Sequence, residues 1–330
     1  MRLGAIVTRE MDAAVDYLLR ESEGRGLLAI SHEPSMQRAL GRRLKRGNLV
    51  MPHKGMYAHR SYWEGLSWAV QAMSVLRTYA LVHPDAVFCS FSAALIHGLW
   101  VPKREALERV HVFGSHGCRT PWVHFHKPSK IGAVSVSGFS VASLERTALD
   151  CMADLEFRNS LAIADSYLRR SGREPYEARD EFESLFAHCP GIAQARRVLP
   201  LADARSENGG ESYARAVMIE NDIMLPELQH VVTRPDGSGG TYRFDYFWDL
   251  VRRKVGGELD GYCKTEDPAI LLGRSQMEVL RDERMRESDL TALGYQIVRF
   301  TFDMAVRTFP LLERLEMFGI PHGEQFRVIH

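Results

Sequence analysis

The chain has no net charge to spend on steering: Lys plus Arg and Asp plus Glu each number 42 in 330 residues. No global field therefore draws it to nucleic acid or to an anionic membrane. Cysteine is sparse. The five are Cys89, Cys118, Cys151, Cys189 and Cys263, odd in number and without a C-x-x-C pair, which argues against a disulfide framework or a zinc ribbon and for reduced thiols. No apolar run approaches the roughly 20 residues of a membrane-spanning helix, and the first residues lack the apolar centre of a secretory signal. A cytoplasmic protein with no membrane partner is expected. Apolar content of 45% and charged content of 25% fit an ordinary globular chain long enough for two or three domains.

The balanced total hides a local imbalance. Between Arg38 and Lys54 stand Arg38, Arg42, Arg43, Lys45, Arg46 and Lys54 with no acid among them. The flanking pattern gives them a frame. Met11, Ala14, Val15, Leu18 and Leu19 have helical spacing after a candidate cap at Thr8, and Gly24 and Gly26 end that helix. Ser35 can cap a second helix over 36–46, with Met36, Ala39, Leu40 and Leu44 inward and Gln37, Arg38, Arg42, Arg43, Lys45 and Arg46 outward. The run 48–58 reads as a hairpin with Lys54-Gly55 at its tip. Helix, basic helix and basic hairpin form a winged helix-turn-helix pattern, in which the second helix enters the major groove of double-stranded DNA and the wing touches phosphate. The plainer reading is a small helical cap with a solvated basic face.

Residues 63–79 read as one amphipathic helix broken at His83-Pro84. A short strand then enters a helix that stops at Gly98, with His97 beside the cap interacting with the helix dipole. V-H-V-F, W-V-H-F-H and A-V-S-V alternate as strands do. Ser143 caps the next helix, in which Arg146 and Asp150 are spaced for an ion pair. His111, His116, His124 and His126 with Cys118 raise a metal site, but no standard ligand spacing fits them and the expectation is against one. Helices follow over 161–170 and through most of 177–201.

The words S-x-S-A-A-x-x-H-G-L (Ser90, Ser92, Ala93, Ala94, His97, Gly98, Leu99), V-H-V (Val110, His111, Val112), S-x-E-R-T-A-L-D (Ser143, Glu145, Arg146, Thr147, Ala148, Leu149, Asp150) and A-D-x-x-L-R (Ala164, Asp165, Leu168, Arg169) occur in that order. Over about residues 8–175 the chain thereby resembles the AbiEi-type antitoxins of type IV toxin–antitoxin systems. That resemblance implies an operator-binding winged helix supported by an α/β domain and a cognate toxin as a second partner; it does not imply catalysis.

A linker at 206–210 opens a new unit. Its first helix carries Glu211 and Arg215 four apart, followed by a strand, a Gly-rich turn, the strand Y-R-F-D-Y-F-W, the strand V-G-G-E-L-D-G, a charged helix and the strand Y-Q-I-V-R-F-T-F. Glu258 and Asp260 share a strand face, and a hairpin can bring Asp245 beside them. Carboxylates so gathered are usually neutralised by a divalent cation. E-S-x-x-R, P-x-x-Q, F-D-Y, E-x-D-G, R-D-x-R and L-x-x-L-G-Y-x-I-V-R-F-T resemble, over about 207–310, the restriction-endonuclease-like fold in its very-short-patch-repair-like branch. The resemblance implies Asp245 and Glu258 as ligands of Mg²⁺ or Mn²⁺, with Glu211 near them; such a metal generates hydroxide at a scissile phosphate. Asp260 stands where the superfamily usually places lysine, and Lys264 is the candidate substitute. Two features oppose catalysis. Gly256 and Gly257 weaken the strand before Glu258, and Arg299 can neutralise the carboxylates without metal. Arg281, Arg284 and Arg286, interleaved with acids, read as a solvated helix.

The expected architecture is α/β: a winged helix-turn-helix over 1–60, an AbiEi-like α/β domain over 61–205 and a restriction-endonuclease-like α/β/α domain over 206–330. The expected function is that of an antitoxin-like, DNA-binding transcription regulator with a nuclease-like domain that has lost its activity; the alternative is a Mg²⁺-dependent DNA endonuclease targeted by its winged helix.

Overall fold

Helix α1 (Arg2–Gly24) ends two residues before Gly26, which takes a left-handed backbone at φ 67°. The structure, a computed structural model, describes residues 2–127, 132–260 and 276–328, and its contacts group into two units, 1–151 and 152–330. In the first unit, α1 shares a small core with α2 (Pro34–Lys45) and the hairpin of β1 (Leu49–His53) and β2 (Met56–His59). Val15 and Leu19 meet Ala39, Leu40 and Leu49 there. Gly55, at φ 74°, makes the turn beside Lys54. The helix starts differ from those expected. Thr8 lies inside α1. Ser35 is the second residue of α2, which begins at Pro34, where proline's missing N–H costs nothing, and its hydroxyl bonds the Glu33 carboxylate.

The stretch expected as one helix is two, α3 (Arg60–Gly65) and α4 (Trp68–Val82). Ser67 is extended between them and its hydroxyl accepts the Val70 N–H, a cap that starts α4 afresh. After α5 (Ser90–His97) and α6 (Lys103–Glu108), β3 (Val110–Phe113), β4 (Cys118–Arg119) and β5 (Val123–His126) form a three-stranded sheet. β5 is central, parallel to β3 and antiparallel to β4. β6 (Ala133–Val136) and β7 (Phe139–Ala142) form a hairpin. Val110, Val112 and Val123 enter a core with Phe88, Phe139 and Val141. Strand alternation then sends His111, His124 and His126 to the other face. Helix α7 (Leu144–Asp154) starts where Ser143 accepts the Arg146 N–H, and the expected Arg146–Asp150 pair forms at 2.7 Å.

The second unit contains α8 (Phe157–Ser171), α9 (Pro175–Phe186), α10 (Ile192–Val198) and α11 (Gly209–Glu220). The expected domain limit at 205/206 falls inside it. Arg215 on α11 pairs with Asp165 on α8 at 2.8 Å, and both are buried. Arg215 also donates to the Leu201 carbonyl, and Asp165 accepts the Asp203 N–H. Charges this far from water persist only when paired and hydrogen-bonded. Thus Arg215 reaches α8 instead of Glu211 one turn away.

The sheet beyond these helices has the order β11-β10-β9-β8. It comprises β8 (Glu227–Thr233), β9 (Thr241–Leu250), β10 (Arg253–Asp260) and β11 (Tyr295–Thr301), with β10 and β11 parallel and the other pairs antiparallel. Tyr246, Trp248, Leu259 and Phe300 pack with α11, α13 (Phe302–Arg307) and α14 (Phe309–Met317). Leu290 of α12 (Gln276–Ala292) joins a separate cluster with Val232 and Phe244. Gly256 and Gly257 are not soft points. A Cβ on Gly256 would stand 2.3 Å from the Phe244 ring, and one on Gly257 2.9 Å from Trp248. Aromatic rings fill the space the missing side chains leave, so the strand before Glu258 is firmly packed.

Candidate functional site

Arg38 and Arg42 on α2 are four residues apart, and Lys45 and the C-cap residue Arg46 follow Arg42 by three and four, so they share one side of the helix. All four are exposed, as are Gln37 and Lys54. None of these cations has an ion-pair partner among the described residues. Arg43 differs. It turns inward to Asp16 and Asp12, and the Arg43 hydrogen bond holds the Asp16 carboxyl below its usual range. That residue fixes α2 to α1 and is withdrawn from the expected DNA-contacting set. Gln37 donates to the Ser31 carbonyl, an intramolecular use of the side chain.

The carboxylates of the second unit fall into two groups. In the first, side-chain alternation inverts along β9: Tyr246 belongs with α11, while Phe244, two residues earlier, belongs with α12. Leu228 and Val232 of β8 divide the same way. The inversion is centred on Gln229 and Asp245, which lie between the Leu228–Tyr246 and His230–Phe244 partners of the β8–β9 register. Gln229 has φ 57°, a left-handed backbone uncommon outside glycine and often found at functional sites. Pairing of β9 with β10 stops at Tyr246, and the Asp245 carboxylate takes the Leu259 N–H at 2.9 Å. Gln229 donates to Glu211 at 3.1 Å, and its own buried Oε1 has no hydrogen-bond partner among the described residues. Burial pushes the Glu211 carboxyl up to about 7, opposed by the Glu207 N–H and reinforced by the negative charge of Asp245. Glu211 thus bonds Gln229 and lies within electrostatic reach of Asp245, and all three carry hard oxygen donors of the kind Mg²⁺ or Mn²⁺ accepts.

Glu258 belongs to the second group. It is bonded to Arg286 and lies 3.2 Å from Arg299. Arg299 also reaches Asp260 at 3.7 Å, Glu287 at 3.1 Å and Glu283. The neighbouring acids keep both guanidiniums firmly charged against the opposing effect of burial. Arg286 therefore does not lie on a solvated face as its sequence neighbours suggest; its three-residue spacing from Glu283 put it on the side of α12 that meets the sheet. The oxygens of Glu258 are committed to guanidinium, which fits a structural brace better than a metal ligand. Lys264 lies outside the described residues.

The imidazoles give the opposite surprise. His111 pairs in register with His124 on the adjacent parallel strand, and His126 follows two residues later on the same face. His111 Nδ1 is 2.9 Å from His126 Nε2, and the His124 and His126 rings are 3.8 Å apart. Among the described residues this is the one group of three or more metal-binding side chain types whose donor atoms all lie within 4.8 Å of one another. Burial, then repulsion from the other imidazoles, pushes His111 down to about 3 and His126 to about 4. His116 bonds Ser115 instead, and Cys118 pairs in register with Phe125, whose side enters the core. Spacing rules for one continuous stretch miss this group; H-x-H in a strand with one more His in a neighbouring V-H-V was the available signal.

No family model matches the chain, and no solved structure matches it. Two curated proteins of Mycobacterium tuberculosis do: "Uncharacterized protein MT2308" of strain CDC 1551 / Oshkosh and "Uncharacterized protein Rv2248" of strain ATCC 25618 / H37Rv. Each is 30% identical over 290 residues, covering 84% of this chain and 97% of the relative. At that identity and coverage, the chain belongs to the same family as these two mycobacterial proteins.

Proposed function

We propose that this chain is a cytoplasmic, DNA-binding regulator of the AbiEi antitoxin type, with a winged helix-turn-helix front, an AbiEi-like middle and a restriction-endonuclease-like end that serves as scaffold. The observation that carries the reading is the row Arg38, Arg42, Lys45 and Arg46, exposed and unpaired among the described residues, with Lys54 at the hairpin turn. A helix with such a row meets the phosphates on either side of a major groove, and the hairpin reaches a further phosphate. Operator DNA is one partner and a cognate toxin the other. The test is binding of the full chain to duplex DNA from its own promoter across a salt series. Arg38→Ala, Arg42→Ala and Arg46→Ala together should flatten the dependence of log K on log salt by about three and weaken binding at least a hundredfold. Arg43 is left intact so that loss of binding cannot come from loss of the α1–α2 brace. Unchanged binding by the triple variant refutes the reading.

A Mg²⁺- or Mn²⁺-dependent endonuclease is the second reading, supported by the convergence of Glu211, Gln229 and Asp245. Asp245 and Glu211 would hold the ion, with the Gln229 carbonyl oxygen beside them; the ion would supply Lewis acidity at a phosphodiester. Glu258, braced by Arg286 and Arg299, weighs against the standard two-carboxylate arrangement. Metal-dependent nicking abolished by Asp245→Asn would establish this reading, and its absence with Mg²⁺ and Mn²⁺ on single- and double-stranded DNA would remove it.

A further inference from the structure

We propose that His111, His124 and His126 form a three-imidazole site for a zinc-class transition-metal dication on the face of the β3–β5 pair opposite the valine core. The argument is geometric. A parallel register places His111 beside His124, and a two-residue step places His126 on the same face. A zinc ion held tetrahedrally by nitrogens at about 2.0–2.1 Å needs those nitrogens about 3.3 Å apart. The His111 Nδ1 to His126 Nε2 separation of 2.9 Å and the 4.8 Å bound on the whole set bracket that value. Small side-chain rotations suffice, without movement of the backbone.

The framework around the site is fixed. The His111 N–H donates to Ser92 Oγ, the Cys89 N–H donates to the His111 carbonyl, and the edge of Phe91 packs against the His111 ring. His124 and His126 are partly exposed, which leaves an entry path. Each neutral imidazole carries one N–H and one lone pair, so a tautomer change aims a lone pair at the ion without net proton loss. Imidazole donors select zinc, cobalt, nickel or copper over magnesium and calcium. Three protein ligands leave a fourth position open. Arg109, Arg119 and Arg146 lie close enough to bear electrostatically on the imidazoles, and the Arg119 guanidinium donates to His124 Nε2 at 3.3 Å. These cations oppose a bare dication and favour an anion, hydroxide or an oxyanion, in the open position.

The test uses the tag-free full chain, stripped with chelator and titrated with Co²⁺, whose four-coordinate visible spectrum reports the ligand set, and then with Zn²⁺ in competition. Wild type should take one equivalent. His124→Asn and His126→Asn should each weaken binding at least tenfold, and His116→Asn and Asp245→Asn should leave it unchanged; the last control separates this site from the carboxylates of the second unit. Thermal melts of the metal-free variants verify folding. Saturation of wild type below half an equivalent overturns the proposal, as does full-strength binding by folded His124→Asn.

Discussion

The two sheets handle their titratable side chains in opposite ways. On β3 and β5, three imidazoles face one another and burial keeps two of them neutral at pH 7. On β10 and β11, carboxylates face guanidiniums in a cross-braced network running from Glu258 through Arg299 to Glu287 of α12. The first arrangement gathers nitrogen donors that can turn toward an incoming cation. The second uses its charges internally. Residue types that suggest a metal from sequence, carboxylates flanking an E-x-D-G word, are therefore largely committed to structure, while the scattered histidines are the ones with capacity left. What decides between brace and site is the presence of a counter-charge on the opposing element, and that is a tertiary fact.

The largest expected effect tests how fully the second unit depends on paired charge. Asp165→Ala leaves Arg215 buried without its counter-ion, and removal of one partner from such a pair costs about 3–5 kcal/mol. Chemical denaturation followed by the near-ultraviolet signal of Trp248, which lies in the second unit's core, should show that loss. His124→Ala, which removes a partly exposed ring from the first unit, should cost under about 1 kcal/mol in the absence of metal. Comparable losses from the two variants would break the contrast between ion-paired and neutral clusters.

Much of the fold was legible because its signals are local. Alternation gave β3, β5 and β6, the Lys54-Gly55 turn gave the hairpin, and Gly98 marked the end of α5. The departures are non-local. Arg215 looks paired with Glu211 until α8 is seen to supply Asp165. Arg43 looks like a DNA contact until Asp12 and Asp16 of α1 are seen beneath it. Gly256 looks like a weakness until the Phe244 ring is seen over it. Asp165 and Arg215 belong to two family-like words on either side of the linker read at 206–210, and their pairing joins α8 to α11 within one unit. Of the expected carboxylate site, Asp245 and Glu211 are together, Glu258 is engaged elsewhere, and Gln229 joined through an inversion of strand alternation that no periodicity rule anticipates.

The smaller effects concern pH, where the histidine cluster and the Glu211 carboxyl of α11 should respond with opposite sign. His111 has a folded pKa of about 3, well below its ordinary 6.5. Between those values the unfolded chain binds the proton and the folded chain does not, so stability is lost as pH falls below 6.5. From pH 7 to 5 the loss is about 2 kcal/mol for His111, and less for the partly exposed His126, where water screens the interaction. Glu211 behaves inversely. Its folded pKa of about 7 lies above the ordinary 4.5, so between these values the folded chain holds the extra proton and stability rises as pH falls. Over the same interval the gain is on the order of 1–2 kcal/mol. Glu211→Gln removes that gain and leaves the histidine loss, so the variant should become more acid-sensitive than wild type between pH 7 and 5. His111→Asn shifts the balance the other way. Denaturation midpoints of wild type and both variants at pH 7, 6 and 5 decide the matter: parallel curves for all three would mean that neither group is held as the geometry requires, and divergence in the stated directions ties each sign to its own residue.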